Sequence, residues 1–318
     1  MAVDAPNILS SSPFELSPRA WHRVEGWGMA VDSFSYTYFP QTIEEIQAVY
    51  ELARRNGLSC GFRGGGRSYG DASLNADNIL IDLSRMNRIL EWDPATGRIV
   101  TEPGVTIEQL WKYIIPHGWW PPVVSGTMYT TMAGCASMNI HGKNCFKVGP
   151  FGNHIQEFDL LLPNGELKTC SREKNSDLFH AAIGGFGMLG CFTRIELQMK
   201  KVHSGRLLVE AFNTHDLPHM VEEFELRAGE SDYLVGWVDC IAGGRGLGRG
   251  IVHRANYLPE GADPESEQTL AVPQQELPSS IMGVPKSLMW WPLSYFVNNL
   301  GMRAINTAKY YAGYLMPQ

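Results

Sequence analysis

Apolar residues along the first two thirds of the chain follow two alternating periods, with turn residues at the junctions. Ile46, Val49, Tyr50 and Ala53 recur at helical spacing behind Thr42-Ile43-Glu44-Glu45, a Thr-x-x-Glu capping box. Gly57 ends that helix, and Leu58, Cys60 and Phe62 then alternate as a short strand. Further strands are predicted at Asn78–Leu83 and, behind the turn Thr96-Gly97, at Arg98–Thr101, which Pro103-Gly104 stops. A second capping box, Thr106-Ile107-Glu108-Gln109, opens a helix carrying Leu110, Trp111 and Ile114 on one face, closed by Pro116 and Gly118. Asp159–Leu162 and Glu166–Thr169 flank Pro163-Asn164-Gly165 as a hairpin, and Asp177–Ile183 reads as a short helix. Thr193, Ile195, Leu197 and Met199 alternate with Arg194, Glu196 and Gln198 as a half-buried strand.

The character changes after Val202. Strand-like runs at 207–212, 233–238 and 250–257 surround the basic turn Gly243-Gly244-Arg245-Gly246. Residues 259–280, rich in Pro, Glu and Gln, read as a mobile loop, and 287–317 are aromatic and apolar. The organisation expected is a polar, Ser/Pro-rich lead-in at 1–30, a mixed α+β domain at 31–202 and a second domain at 203–318.

Composition narrows the classes. At 318 residues, 44% hydrophobic and 19% charged, the chain is of ordinary globular type, and its net charge of −7 gives no footprint for nucleic acid. The six cysteines stand apart, with no Cys-x-x-Cys and no zinc spacing, so reduced thiols and no metal are expected. Met1–Trp21 has neither a basic start nor an apolar run, and no window is long enough for a membrane span. A cytoplasmic placement is the default expectation.

The densest candidate chemistry is the run Phe62, Arg63, Gly64, Gly65, Gly66, Arg67, Ser68, Tyr69, Gly70, Asp71, Ala72. It leaves a strand and opens a loop rather than a helix. Three consecutive glycines bare the backbone so that amides can close round an anion, and the arginines, serine and tyrosine add donors. A phosphate or pyrophosphate cradle is the reading; a plain surface loop would not need so many converging donors.

Gly185-Phe186-Gly187-Met188-Leu189-Gly190 matches G-x-G-x-x-G, but a helix precedes it and a strand follows, the reverse of a dinucleotide fingerprint. It still marks close backbone approach. Ser125–Asn144 is a second bare stretch, small and hydroxyl-bearing, uncharged until His141 and Lys143. Such a backbone can lie flat on a pyrophosphate or a ring. A lone histidine is most often a satisfied core residue, yet Lys143 and Asn144 follow at once, which favours a site.

Arg63 to Asp71, Ser125-Gly126-Thr127, Ala133-Gly134, His141-Gly142-Lys143-Asn144, Phe151-Gly152-Asn153-His154 and Gly184 to Gly190 occur in this order. Over about residues 26–202 the chain thereby resembles the FAD-linked oxidases of the vanillyl-alcohol-oxidase / p-cresol-methylhydroxylase type. The Gly-Arg-Ser-Tyr-Gly-Asp and His-Gly-Lys-Asn boxes most resemble the branch that oxidises a polyprenyl-phosphorylated ribose at its 2′ position.

The resemblance implies an α+β fold: a p-cresol-methylhydroxylase-type FAD-binding domain of two α+β subdomains, followed by an antiparallel-sheet substrate cap. Phe62 to Ala72 would hold the pyrophosphate. Gly126, Thr127, Thr131, Met132, Ala133, Gly134, Met138, Asn139, Ile140 and His141 would line the rest of FAD, with Phe192 on the adenine side. His141 would sit beside the isoalloxazine as base or hydroxyl-orienting group, with Tyr69 and Lys143 facing the substrate. Many relatives tether the flavin through a histidine where this chain has Arg67, and no cysteine matches the second tether, so FAD is expected to be non-covalent.

The expected activity is hydride transfer from a secondary alcohol of a sugar or sugar-lipid to flavin N5. The alternatives are an oxygen-using alditol or aldonolactone oxidase, and a flavin-binding subunit that needs a reductase or second polypeptide. Family members continue well past the position of Gln318, so the cap is expected to be incomplete here, leaving the aromatic segment for an oligomer or a membrane surface.

Overall fold

The computed structural model describes residues 14–281 and 283–313, so most of the lead-in's first half and Tyr314 lie outside the described residues. Helix and sheet are mixed. The chain divides into two compact units: Met1–Leu110, Val124–Ile140 and Pro150–Met199 in one; Trp111–Val123, His141–Gly149 and Lys200–Gln318 in the other.

The first unit holds two sheets. β1 (Trp21–Glu25), β2 (Asp32–Tyr38), β3 (Cys60–Arg63) and β4 (Ile79–Asp82) form a four-stranded sheet in the order β1-β2-β4-β3. β1 pairs antiparallel with β2, so part of the expected lead-in is strand, while β2 and β3 both run parallel to β4. Helix α1 (Ile43–Asn56) supplies the crossover between β2 and β3. Thr42 caps it by accepting from the Glu45 amide, the Glu45 carboxylate accepts from the Gln41 amide at 2.6 Å, and Gly57 closes it in the left-handed region. Its apolar stripe, Ile46, Val49, Tyr50, Leu52 and Ala53, is buried with Ile79, Ile81 and Leu83. Each fully buried aliphatic side chain there contributes about 1.5–3 kcal/mol.

β5 (Ile89–Asp93), β6 (Arg98–Thr101), β7 (Ile155–Leu161), β8 (Leu167–Ser171) and β9 (Cys191–Gln198) form an antiparallel sheet ordered β5-β6-β9-β7-β8. The turn between β7 and β8 is the one expected, with Gly165 at φ +86° and its amide donating to the Leu162 carbonyl. Helix α2 (Ile107–Ile114) has a reciprocal cap: the Gln109 amide donates to Thr106 Oγ1, and the Gln109 side chain accepts from the Thr106 amide. The division between the units falls within α2, after Leu110; two short helices, α3 (Met132–Ser137) and α4 (Ser176–Ala182), lie in the first unit.

In the second unit β10 (Leu207–Thr214), β11 (Tyr233–Val238) and β12 (Gly250–Tyr257) make an antiparallel sheet in the order β10-β12-β11. Helix α5 (Leu217–Ala228) covers it through Met220, which packs with Leu234 and Val252. The strand period did not reveal α5, although Asp216 followed by Pro218 was a usable signal: the Asp216 carboxylate accepts from the His219 amide and Pro218 sits in the first turn.

The stretch 259–280 departs from the mobile loop expected. Ser266–Thr269 and Val272–Gln275 are helical turns, and buried Asp263 accepts from the Ser204 and Thr269 hydroxyls. The Gln275 side-chain amide donates to the carbonyls of Gly205 and Thr269. Asp263, Thr269 and Gln275 are engaged in internal bonds, while Glu267, Gln268, Gln274 and Glu276 stay exposed. Two further helices follow, α6 (Lys286–Ser294) and α7 (Asn299–Ala312). Among the described residues no helix is long and apolar enough to cross a membrane.

Candidate functional site

β3 ends at Arg63 and delivers the three glycines against the segment before α3. A Cβ on Gly64 would strike the Thr131 hydroxyl, and one on Gly65 would strike the Tyr129 carbonyl. Gly66 lies at φ +60°, and its Cβ would enter the Arg63 guanidinium. The opposing segment is itself held: the Ile107 and Glu108 amides of α2 donate to the Thr130 and Met128 carbonyls at 3.0 and 2.8 Å. Thr131 also caps α3, accepting from the Gly134 amide at 3.3 Å. The glycine run and Tyr129–Thr131 of the second bare stretch are thus brought together in one unit.

The two arginines of the loop differ in what they do. Arg63 turns inward, donating from Nη1 to the Ser73 carbonyl and hydroxyl at 3.3 Å and from Nη2 to the Glu25 carbonyl at 3.1 Å. Its Nε stands 4.0 Å from Asp82, and burial pulls its pKa down while Asp82 opposes. Arg67 lies over the Tyr129 ring at 5.0 Å, and its Nε is buried without a hydrogen-bond partner. A buried donor with no acceptor in the protein calls for one from outside. An anion beside Gly64–Gly66 would supply it, so the residues present fit a pyrophosphate.

The rest of the loop is carried by a segment in which the sequence showed no motif. The Trp27 amide donates to the Ser68 carbonyl at 3.0 Å, and Gly26 and Gly28 pass so close to the carbonyls of Gly70 and Tyr69 that a Cβ would sit 2.8 and 2.9 Å away. Tyr69 is 72% exposed, edge-on to Trp27 with centroids 4.9 Å apart. Gly70, Asp71 and Ala72 are exposed.

In the second stretch the Ser125 hydroxyl donates to the Thr127 carbonyl, Gly126 is exposed, and Met132 and Ala133 are buried on α3. The helix was not foreseen, because small residues read as bare backbone; capping by Thr131 and the good helix formers Ala133 and Ala136 explain it. Met138 is 40% exposed. Asn139, at φ +41°, accepts the Gly152 amide at 2.9 Å, and the Ile140 carbonyl accepts the Phe151 amide at 2.8 Å.

The G-x-G-x-x-G stretch joins the same neighbourhood. The Gly184 and Phe186 amides donate to the Ala136 and Ser137 carbonyls at 2.9 and 3.0 Å, and a Cβ on Gly187 would sit 3.3 Å from the Phe62 ring. α4 precedes it and β9 follows, the order that argued against a dinucleotide fingerprint. Phe186 and Met188 stand 60% and 83% exposed. Phe192 is placed differently: the residue is 2% exposed, its ring edge-on to Phe158 at 4.7 Å.

His141 and Lys143 belong to the second unit and are exposed. There the Lys143 carbonyl accepts the Leu234 amide at 3.1 Å, and the buried Asn144 side chain donates to the Pro122 carbonyl at 2.8 Å. Next to Leu234, the Tyr233 and Tyr257 hydroxyls share a hydrogen bond, and burial raises the pKa of both phenols. A cavity of about 460 Å³ lined by residues including Phe14, Arg19, His22, Tyr38 and Arg85 takes in none of the residues singled out from the sequence.

Residues 34–171 match the protein family described as FAD binding domain. The chain carries a FAD-binding domain of the p-cresol-methylhydroxylase type. FAD is its cofactor. The chain is 34% identical over 245 residues to decaprenylphosphoryl-beta-D-ribose oxidase of Mycolicibacterium smegmatis, covering 75% of this chain and 53% of that protein. It is 27% identical over 177 residues to L-gulonolactone oxidase of Bos taurus, covering 55% and 40%, and 26% identical over 238 residues to cytokinin dehydrogenase 2 of Oryza sativa subsp. japonica, covering 70% and 42%. The chain spans about half the length of the curated relatives it matches, or less.

Proposed function

We propose that this chain is the FAD-bearing part of an oxidoreductase that converts a secondary alcohol of a sugar-like substrate into a ketone, a polyprenyl-phosphorylated ribose being the favoured substrate class. The observation that carries the cofactor half of the reading is Arg67, whose buried Nε has no acceptor in the protein and which adjoins three glycines that admit no side chain. The similarity to decaprenylphosphoryl-beta-D-ribose oxidase supports the substrate half.

In this reading Gly64–Gly66 and Arg67 hold the pyrophosphate, and Gly126 with Thr131–Gly134 and Met138–Ile140 line the remaining cofactor. Bound FAD supplies the acceptor for the hydride that leaves the carbinol carbon. His141 takes the hydroxyl proton from the alcohol oxygen, a task suited to an imidazole. Lys143 orients a hydroxyl or phosphate oxygen by its charge, and Tyr69 faces the substrate. Arg67 cannot form a histidyl bond to the flavin, so the cofactor is held non-covalently. Residues 203–313 serve as part of a substrate cap.

A second reading, an oxidase of free sugar lactones or polyols, draws on the similarity to L-gulonolactone oxidase. The two separate on bleaching of the flavin band without oxygen. A ribosyl lipid should bleach it, with slow recovery in air; bleaching only by free lactones or polyols, with prompt peroxide formation, would favour the second. A yellow chain that no alcohol bleaches, with or without a partner polypeptide, overturns both.

A further inference from the structure

Residues 283–300 are exposed along their whole length, with Met289 alone half-buried. The side chains are unlike those of a solvated loop: Trp290, Trp291, Tyr295, Phe296, Val297 and Leu300 are 53–80% exposed. α6 buries no residue fully, so its exposure is not confined to one stripe. α7, which follows, is anchored. Its Asn306 donates to Asp239 at 2.8 Å, its Thr307 hydroxyl accepts from Arg249 at 2.9 Å, and the Tyr310 carbonyl accepts from Asn213 at 2.8 Å.

Charge follows the same boundary. In a chain of net −7, no Asp or Glu occurs after Glu276, while Lys286, Arg303 and Lys309 do. Lys286 and Arg303 are exposed at either end of the aromatic stretch.

We propose that residues 283–300 form an interfacial foot that inserts into the surface of an anionic phospholipid bilayer. A protein groove covers one face of a helix, whereas a fluid medium covers several, and Leu288, Trp290, Trp291 and Leu293 stand exposed on different faces of α6. With nine residues it reaches only about 13 Å, well short of a bilayer core of about 30 Å, so it lies within the interface. Tryptophan and tyrosine favour that depth, and Lys286 and Arg303 meet headgroup phosphates.

The test mixes the FAD-loaded full chain with vesicles of phosphatidylcholine and phosphatidylglycerol in equal parts, and with phosphatidylcholine alone. Co-sedimentation with the anionic vesicles, a blue shift of tryptophan emission and loss of binding at high salt are expected. Trp290→Ser/Trp291→Ser should weaken binding at least about tenfold, and Lys286→Gln/Arg303→Gln about fivefold per charge. Both variants alter exposed residues, and an unchanged flavin spectrum will show the fold intact. Absence of vesicle binding, or equal binding by the tryptophan variant, overturns the proposal. So does a lipid-free dimer that this variant abolishes, which would give the segment to a second copy of the chain.

Discussion

Gly64 and Thr131 touch so closely that the Cβ glycine lacks would overlap the threonine hydroxyl. That hydroxyl is already engaged as the cap of α3, accepting from the Gly134 amide. Neither side can yield cheaply: one is backbone leaving a strand, the other is fixed to the start of a helix. The contact ties the glycine loop to the start of α3.

Gly64→Ala should therefore damage cofactor retention more than fold. Overpacking of this kind costs about 1–3 kcal/mol. The ratio of flavin to protein absorbance after gel filtration should fall sharply, with a smaller drop in melting temperature. Gly70→Ala is the control, since nothing lies within 4 Å of its Cβ position. Equal flavin content in the two variants would separate the glycine run from the cofactor.

The two loop arginines should fail in opposite ways. Arg67→Met removes an Nε donor that bonds nothing in the protein and one contact with the Tyr129 ring, so stability should change little while FAD affinity falls about 10–100-fold. Arg63→Met removes the bonds to Ser73 and Glu25 and should lower the melting temperature of the FAD-free chain. Titration of FAD into each variant, beside thermal melts, decides it. For the wild type, acid precipitation should release the yellow colour into the supernatant.

His141→Ala should leave FAD bound and abolish its reduction by substrate. Stopped-flow bleaching of the flavin band without oxygen reads this directly. Undiminished bleaching would remove His141 from the chemistry.

Acid should loosen the 259–275 stretch. The Ser204 and Thr269 hydroxyls, donating to Asp263, hold its carboxyl below the usual carboxylate range. A group depressed in the folded state stabilises above its unfolded pKa, about 4, and loses that contribution as pH falls through the folded value. Proteolytic cutting within 259–275 should rise only on the acid side, and Asp263→Asn should cut readily at neutral pH with a flat profile. A profile in Asp263→Asn that still follows the wild type would exclude the carboxyl.

One thiol should react ahead of the others. Cys240 is exposed, whereas burial pushes Cys60 up to about 11 and Cys135 up to about 12 and raises Cys191 as well. A disulfide reagent at neutral pH should give a fast phase that Cys240→Ser removes, with the buried cysteines titrating only on unfolding.

Much of the first unit was legible because it is decided within a few residues. Thr42, Glu45 and Gly57 bound α1 by bonds to near neighbours, and Pro163-Asn164-Gly165 turns the chain between β7 and β8 for the same reason. The two bare stretches announced themselves by composition, since backbone that must approach closely cannot carry side chains. The helix at Met132–Ser137, the pinned 259–275 stretch and the support from Gly26 and Gly28 were not legible in period or composition.

By itself, then, the sequence determined the local elements, the glycine loop and the residue types available to grip a phosphate. Tertiary structure decided how those residues divide the work. It turned Arg63 inward and left Arg67 Nε without an acceptor, set Gly64 against a threonine far along the chain, and sealed Phe192 against Phe158. It also assigned His141 and Lys143 to a different compact unit from the loop. The physical reason is range: caps and turns are settled by neighbours in sequence, whereas burial, close approach and an unmet donor depend on residues that only folding brings near.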